Sequence, residues 1–222
     1  MSHPDYAVIG AGISGLMLAR RLQASGAFVV VLEKSRGYGG RLTTKRVGEA
    51  VFDQGAQFFT ARDAEFAAQT EAWRAAGWVA EWPGQSPGRL VGRPAMTSVP
   101  KALAEGLDIR REHKVTAANR LADGTWELAI ENQTPVRAGR LLLTSPVPQS
   151  LALLAAGGLI LPAAVHDSLS RLTYHPCLAL LVVLAGPSAV PAEGLAFSTE
   201  PVRWLADNVR KGIAQHVPAA VT

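Results

Sequence analysis

A chain of 222 residues with 48% hydrophobic composition is long enough for one large domain or two small ones, and apolar enough to close a core. Lys+Arg 22 against Asp+Glu 18 leaves a net charge of +4 with no basic run longer than a pair, which excludes a nucleic-acid face built from a basic patch interleaved with aromatics. A single cysteine, Cys177, excludes a disulfide framework or a Cys-based metal site within the chain. Met1-Ser2-His3-Pro4-Asp5 leads straight into an apolar run without the charged region, long apolar stretch and cleavage site of a leader, so a cytoplasmic protein is expected. The apolar runs 151–161 and 177–185 are shorter than the ~20 residues of a membrane helix and read as core elements.

In chain order, Ala7-Val8-Ile9 is of buried-strand type and passes at once into Gly10-Ala11-Gly12-Ile13-Ser14-Gly15, a G-x-G-x-x-G arrangement. Gly10 permits the tight turn, Gly12 lets the backbone approach a pyrophosphate, and Gly15 brings the following helix close to the strand. That helix offers unpaired N–H groups and a partial positive charge to phosphates, and Gly26 is its expected stop. A second strand over 28–32 ends in Glu33, whose carboxylate can accept from both ribose hydroxyls of an adenosine and would repel a 2′-phosphate. An ordinary βαβ unit without ligand is the competing reading.

The continuation Lys34-Ser35-Arg36-Gly37-Tyr38-Gly39-Gly40-Arg41 separates FAD from NAD, because a plain NAD domain has no use for a second glycine pair followed by arginine. Together with Asp53-Gln54-Gly55-Ala56-Gln57-Phe58-Phe59-Thr60-Ala61-Arg62-Asp63, Pro94-Ala95-Met96-Thr97 and Leu142-Leu143-Thr144-Ser145-Pro146-Val147-Pro148-Gln149, it resembles the FAD-dependent amine oxidase superfamily, more closely its renalase-like bacterial branch. The resemblance covers nearly the whole chain. It implies an α/β fold: a FAD-binding Rossmann-like domain of the glutathione-reductase type with a β-meander, over 1–77 and 98–148, and a partial α+β substrate domain over 78–97 and 149–222. The implied cofactor contacts are Gly10, Ala11, Gly12, Ile13, Ser14, Gly15, Glu33, Lys34, Ser35, Arg36, Gly40 and Arg41, then Gln57 and Phe58 beside the flavin and Val115 over the adenine. For Phe58-Phe59 the alternative is a core aromatic pair, with Gln57 merely satisfying backbone groups.

Between these stretches the signals are local. Residues 42–46 and 50–52 read as strands joined at Gly48, and Asp63 caps a helix that presents Phe66, Thr70 and Trp73 on one face and stops at Gly77. Residues 78–93, rich in Pro and Gly, read as a loop, and around Pro83 to Arg89 the family carries a longer insertion. A short helix starts at Thr97-Ser98-Val99-Pro100 and ends at Gly106, followed by strand pieces at 109–110 and 113–116. Asp123-Gly124 is a hairpin signal with 126–130 as the next strand. Leu141-Leu142-Leu143 suits the centre of a parallel sheet. Pro146 and Pro148 mark a change of domain, after which helices over 150–161 and 163–172, a buried strand over 178–184 and strands at 197–198 and 202–205 are expected. Residues 217–222 resemble the beginning of another strand, and no Gly-Asp dipeptide, which in the family holds the ribityl chain, occurs in the 222 residues. The resemblance therefore implies a C-terminally incomplete chain.

His3, His113, His166, His175 and His216 lack the spacing of a metal site, and Cys177 at the head of an apolar strand reads as a buried, inert thiol. Hydride transfer to a flavin needs orientation and a dry site rather than a proton-abstracting side chain, so no catalytic acid or base is named. The resemblance implies oxidation of aberrant or isomeric NAD(P)H with O₂ as electron acceptor. The alternatives are a flavin oxidase of amines and a non-catalytic nucleotide-binding protein that keeps only the adenosine half-site.

Overall fold

In the computed structural model the chain is described over residues 3–84, 88–199, 201–215 and 217–222. It divides into two compact units, one of Met1–Gly40 with Leu103–Pro176, the other of Arg41–Ala102 with Cys177–Thr222. The elements run in the order β1 (Tyr6–Ile9), α1 (Ile13–Ala24), β2 (Val29–Leu32), a 3-10 turn (Gly40–Leu42), β3 (Thr44–Val47), β4 (Ala50–Asp53), α2 (Ala64–Ala75), β5 (Val79–Glu81), β6 (Leu90–Gly92) and α3 (Ser98–Ala104). They continue as β7 (Asp108–Arg110), β8 (Val115–Arg120), β9 (Trp126–Ile130), β10 (Gln133–Ala138), β11 (Arg140–Leu143), α4 (Val147–Ala156), α5 (Ala163–Ser170), β12 (Val182–Leu184), β13 (Leu195–Ala196), β14 (Trp204–Leu205) and β15 (Ala219–Val221).

In the first unit the β-branched run of β2 is buried on both faces, as strands of a covered parallel sheet are. It pairs in parallel with β1 and β7, and β1 pairs with β11, giving the order β11-β1-β2-β7. Leu16 and Ala19 of α1 are fully buried. The helix ends where Gly26 takes a φ of +87°, a conformation that favours glycine. Phe28 lies outside the strand and is half-exposed. β11 is the edge of the described sheet rather than its centre, and its leucines are only half-buried. Three consecutive leucines signal burial, but here one edge of the strand goes unpaired, while Leu141 and Leu143 pack against the meander.

That meander is the antiparallel sheet β10-β9-β8. Its first turn is closed by Asp123, which accepts from the Thr125 main chain at 3.0 Å and its hydroxyl at 2.6 Å, with Gly124 at φ +83°. β10 is not expected from the sequence pattern because Pro135 interrupts it; the register shifts between Gln133 and Val136. The helix expected over 150–161 begins earlier, at Val147, with Pro148 in its first turn, where a missing N–H costs nothing. It lies so close to β8 that a Cβ on Gly157 would stand 1.9 Å from the Ala118 carbonyl oxygen.

The second unit is assembled from two-stranded pieces: β3 with β4, β5 with β6, β12 with β15, and β13 with β14, all antiparallel. Asp63 caps α2 by accepting from Phe66 N at 3.0 Å, and Thr70 and Trp73 face the core. The stretch 78–93 is not simply a loop: it forms the β5–β6 hairpin, because Val79, Trp82, Leu90 and Val91 are apolar enough to be buried between the Pro and Gly positions. Residues 85–87 of that stretch and His216 lie outside the described residues. The strand expected over 178–184 is reduced to Val182–Leu184, with Leu178 98% and Leu180 77% exposed. Of the expected run, only those three residues pair with β15, so among the described residues the apolar positions before them have no ladder. Cys177 is likewise exposed, not buried. Among the described residues no helix is long and apolar enough to cross a membrane.

Candidate functional site: a dinucleotide cradle and a separate aromatic turn

The cradle belongs to the first unit. Gly10 leaves β1 at φ +105°, and a Cβ on Gly15 would stand 2.0 Å from the Gly10 carbonyl oxygen and 2.9 Å from Thr144 Oγ1. Only glycine therefore lets α1 start so close to the strand. At Gly12, the N-cap of α1, the opposite holds: nothing lies within 4 Å of where a Cβ would be. Among the described residues no side chain caps the helix and its first turn carries no acidic residue, so its positive end, beside the exposed Ser14, is left without a side-chain acceptor. The second glycine turn packs on the first: Gly39 N donates to Ala11 O at 2.9 Å, and the Cβ position of Gly40 is 3.6 Å from Gly12 Cα.

Glu33 is 8% exposed at the end of β2. Its Oε2 accepts from Ala11 N and its Oε1 from Ser35 N, both at 2.8 Å, so one carboxylate ties the glycine loop to the turn after β2. Each oxygen keeps capacity for a further donor. Lys34, Ser35 and Arg36 follow on the surface, while His113 N donates to Glu33 O at 2.9 Å and holds the start of β8, where Val115 is buried against Ile9, Leu32 and Ile130 in the core cluster. The structure thus gathers the glycine loop, Glu33, Gly40 and the head of β8. Thr144, quoted above only as part of a resemblance, closes the turn by donating to Ile9 O at 2.8 Å.

Arg41, Gln57 and Phe58 belong to the second unit, where the turn of Gln57 and Phe58 is hydrogen-bonded to Arg41. Ala56 N donates to Arg41 O at 2.8 Å, and a Cβ on Gly55 would be 2.1 Å from that same oxygen. Gln57 Nε2 donates to Asp53 O, while Gln57 Oε1 is buried without a hydrogen-bond partner among the described residues. Phe58 meets Trp82 edge-on at 5.8 Å and Trp204 at 5.7 Å, with the Arg89 guanidinium 4.5 Å over its ring. Phe59 turns the other way, toward Phe66 and Trp73.

Beneath this turn lies a pair that the sequence pattern does not announce. Lys211 and Asp53 are both 0% exposed, with Lys211 Nζ 2.6 Å from Asp53 Oδ2. Burial lowers the proton affinity of Lys211 below the ordinary lysine range; Asp53 works against that shift and Arg93 adds to it. Asp53 sits in the motif quoted above, but nothing local marks Lys211.

The model of a family described as "NAD(P)-binding Rossmann-like domain" matches residues 8–70. A Drosophila melanogaster protein, "Possible lysine-specific histone demethylase 1", is 49% identical over 53 residues, and putrescine oxidase of Kocuria rosea is 42% identical over 64 residues. These matches cover 24% and 29% of this chain but only 6% and 13% of the two relatives, so the chain spans a small part of either. Putrescine oxidase bound to putrescine superposes with a TM-score of 0.67 at 15% identity, over 99% of this chain and 74% of that one. A crystal structure from Exiguobacterium sp. 255-15, with a provisional assignment as a protoporphyrinogen oxidase, superposes with a TM-score of 0.72 at 15% identity, over 100% of this chain and 76% of that one. Residues 8–70 are thus similar to an NAD(P)-binding Rossmann-like domain, and the chain shares the α/β fold of putrescine oxidase.

Proposed function

We propose that this chain belongs to a FAD-dependent oxidoreductase of the amine oxidase superfamily, of the renalase-like type, which oxidises an aberrant or isomeric dihydronicotinamide dinucleotide. Bound there, FAD would supply a two-electron acceptor for the hydride of the dihydronicotinamide, with O₂ as the final electron acceptor giving H₂O₂.

The single observation that carries the reading is the open, uncapped cradle at Gly12 with Glu33 fixed at its side. The residues present fit the group: the glycine loop Gly10 to Gly15 and the α1 N-terminus hold the pyrophosphate, Glu33 accepts the ribose hydroxyls, and Val115 stands by the adenine. Lys34, Ser35, Arg36 and Gly40 complete the half-site, and the family resemblance adds Arg41. The Gln57 side-chain carbonyl, buried without a partner among the described residues, and the half-buried Phe58 ring support a contact with the flavin. Functionally we assign 1–77 and 98–148 to the cofactor and 78–97 and 149–222 to the substrate.

The local identity to putrescine oxidase favours a second reading, in which the substrate is a small amine. Purified chain would be mixed with FAD, freed of unbound flavin and examined by absorption. Retained flavin bands are expected, with bleaching by isomeric NADH under anaerobic conditions. Bleaching by putrescine instead would establish the amine reading, and a colourless protein that binds ADP would leave only a nucleotide-binding role.

A further inference from the structure

We propose that Lys211 is a positioning residue, which through its contacts with Asp53 and Trp82 fixes the turn that carries Gln57 and Phe58; that these two face the cofactor rests on the reading above. Gln57 is held by its amide N–H, donated to the main-chain oxygen of Asp53. Phe58 is held edge-on by Trp82. Lys211 Nζ touches both supports: it lies 2.6 Å from Asp53 Oδ2 and 4.7 Å from the centre of the Trp82 ring.

Asp53 itself is clamped on every side. Its Oδ1 accepts from Thr44 Oγ1 at 2.7 Å and from Met96 N at 3.1 Å, and its own N–H donates to Asn208 Oδ1 at 3.1 Å. The lysine cannot drift away, since its N–H donates to Asp207 O at 2.8 Å and its carbonyl accepts from Arg93 Nη1 at 2.9 Å. A buried ion pair adds little net stability over an apolar pair of the same shape. What it adds is direction, because an ammonium between a carboxylate and a ring face tolerates few alternative arrangements.

Amide hydrogen exchange on the FAD-free chain tests this with the parent, Lys211→Met and the double variant Asp53→Asn with Lys211→Met. The double variant leaves no unpaired buried charge and guards against simple unfolding. Its melting temperature is expected to return toward the parent's while exchange within 53–60 rises about tenfold and β5, β6, β12 and β15 stay near parent rates. Parent-like protection of 53–60 in the double variant, or an even rise across the unit in both variants, would overturn the proposal. FAD retention by the parent is read separately: its absence would sink the cofactor role of Gln57 and Phe58 and leave the exchange result to decide the role of Lys211.

Discussion

Glu33 in the first unit and Asp53 in the second are both carboxylates withdrawn from solvent, and they are held in opposite ways. Glu33 is met by two main-chain N–H groups, one on each oxygen, so acceptor capacity is left for a ligand. Asp53 is met by an ammonium, a hydroxyl and a main-chain N–H, and is sealed at 0% exposure. Burial therefore does not distinguish a ligand carboxylate from a structural one; the acceptor capacity left over does.

The contrast between the two carboxylates is most exposed to test at Lys211. Lys211→Met should cost about 3–5 kcal/mol of stability in denaturant unfolding, because it strands a buried carboxylate. A loss under about 1 kcal/mol would put Asp53 in the same class as an exposed partner. On the other side, Glu33→Ala should weaken adenosine-side binding by about 2–4 kcal/mol, measured by titration with FAD or ADP. Unchanged retention would remove Glu33 from the ligand class.

Two glycines sharpen the contrast within the cradle. Gly15→Ala should destabilise the chain by about 1–3 kcal/mol, since its Cβ meets backbone. Gly12→Ala should change stability by less than about 1 kcal/mol and yet reduce FAD retention, because it fills only the open space. A stability loss at Gly12 equal to that at Gly15 would contradict the cradle geometry.

The smallest effect is in pH. The folded-state pKa of Lys211 is lowered from 10.5, so between the folded value and 10.5 the unfolded chain binds more protons than the folded one at this site. The stability of the parent relative to Lys211→Met should accordingly rise as pH approaches 10.5 from below, and fall as pH drops toward the folded pKa, levelling beneath it. A flat difference between the two across the alkaline range would mean that the ammonium is not in the sealed site.

The half-site around Glu33 is legible in the sequence because each of its signals is local. The tasks of Gly10 and Gly15 depend on backbone a few residues away, and Glu33 is placed by the length of one helix and one strand. Beyond that range legibility fades. β10 is hidden by Pro135, the β5–β6 hairpin by surrounding Pro and Gly, and an apolar composition at 178–180 promises burial that the available pairing does not provide.

By itself, then, the sequence determined the βαβ cradle, the helix stops at Gly26 and Gly77 and the Asp123-Gly124 turn, since short-range sterics and hydrogen bonding decide all of them. Only the tertiary structure decided that Lys211 meets Asp53 across 158 positions, that Phe58 meets both Trp82 and Trp204, and that Leu178 faces solvent. The physical reason is that burial, and with it the charge state and acceptor capacity of a side chain, is a property of whatever packs around it, and no sequence spacing encodes that.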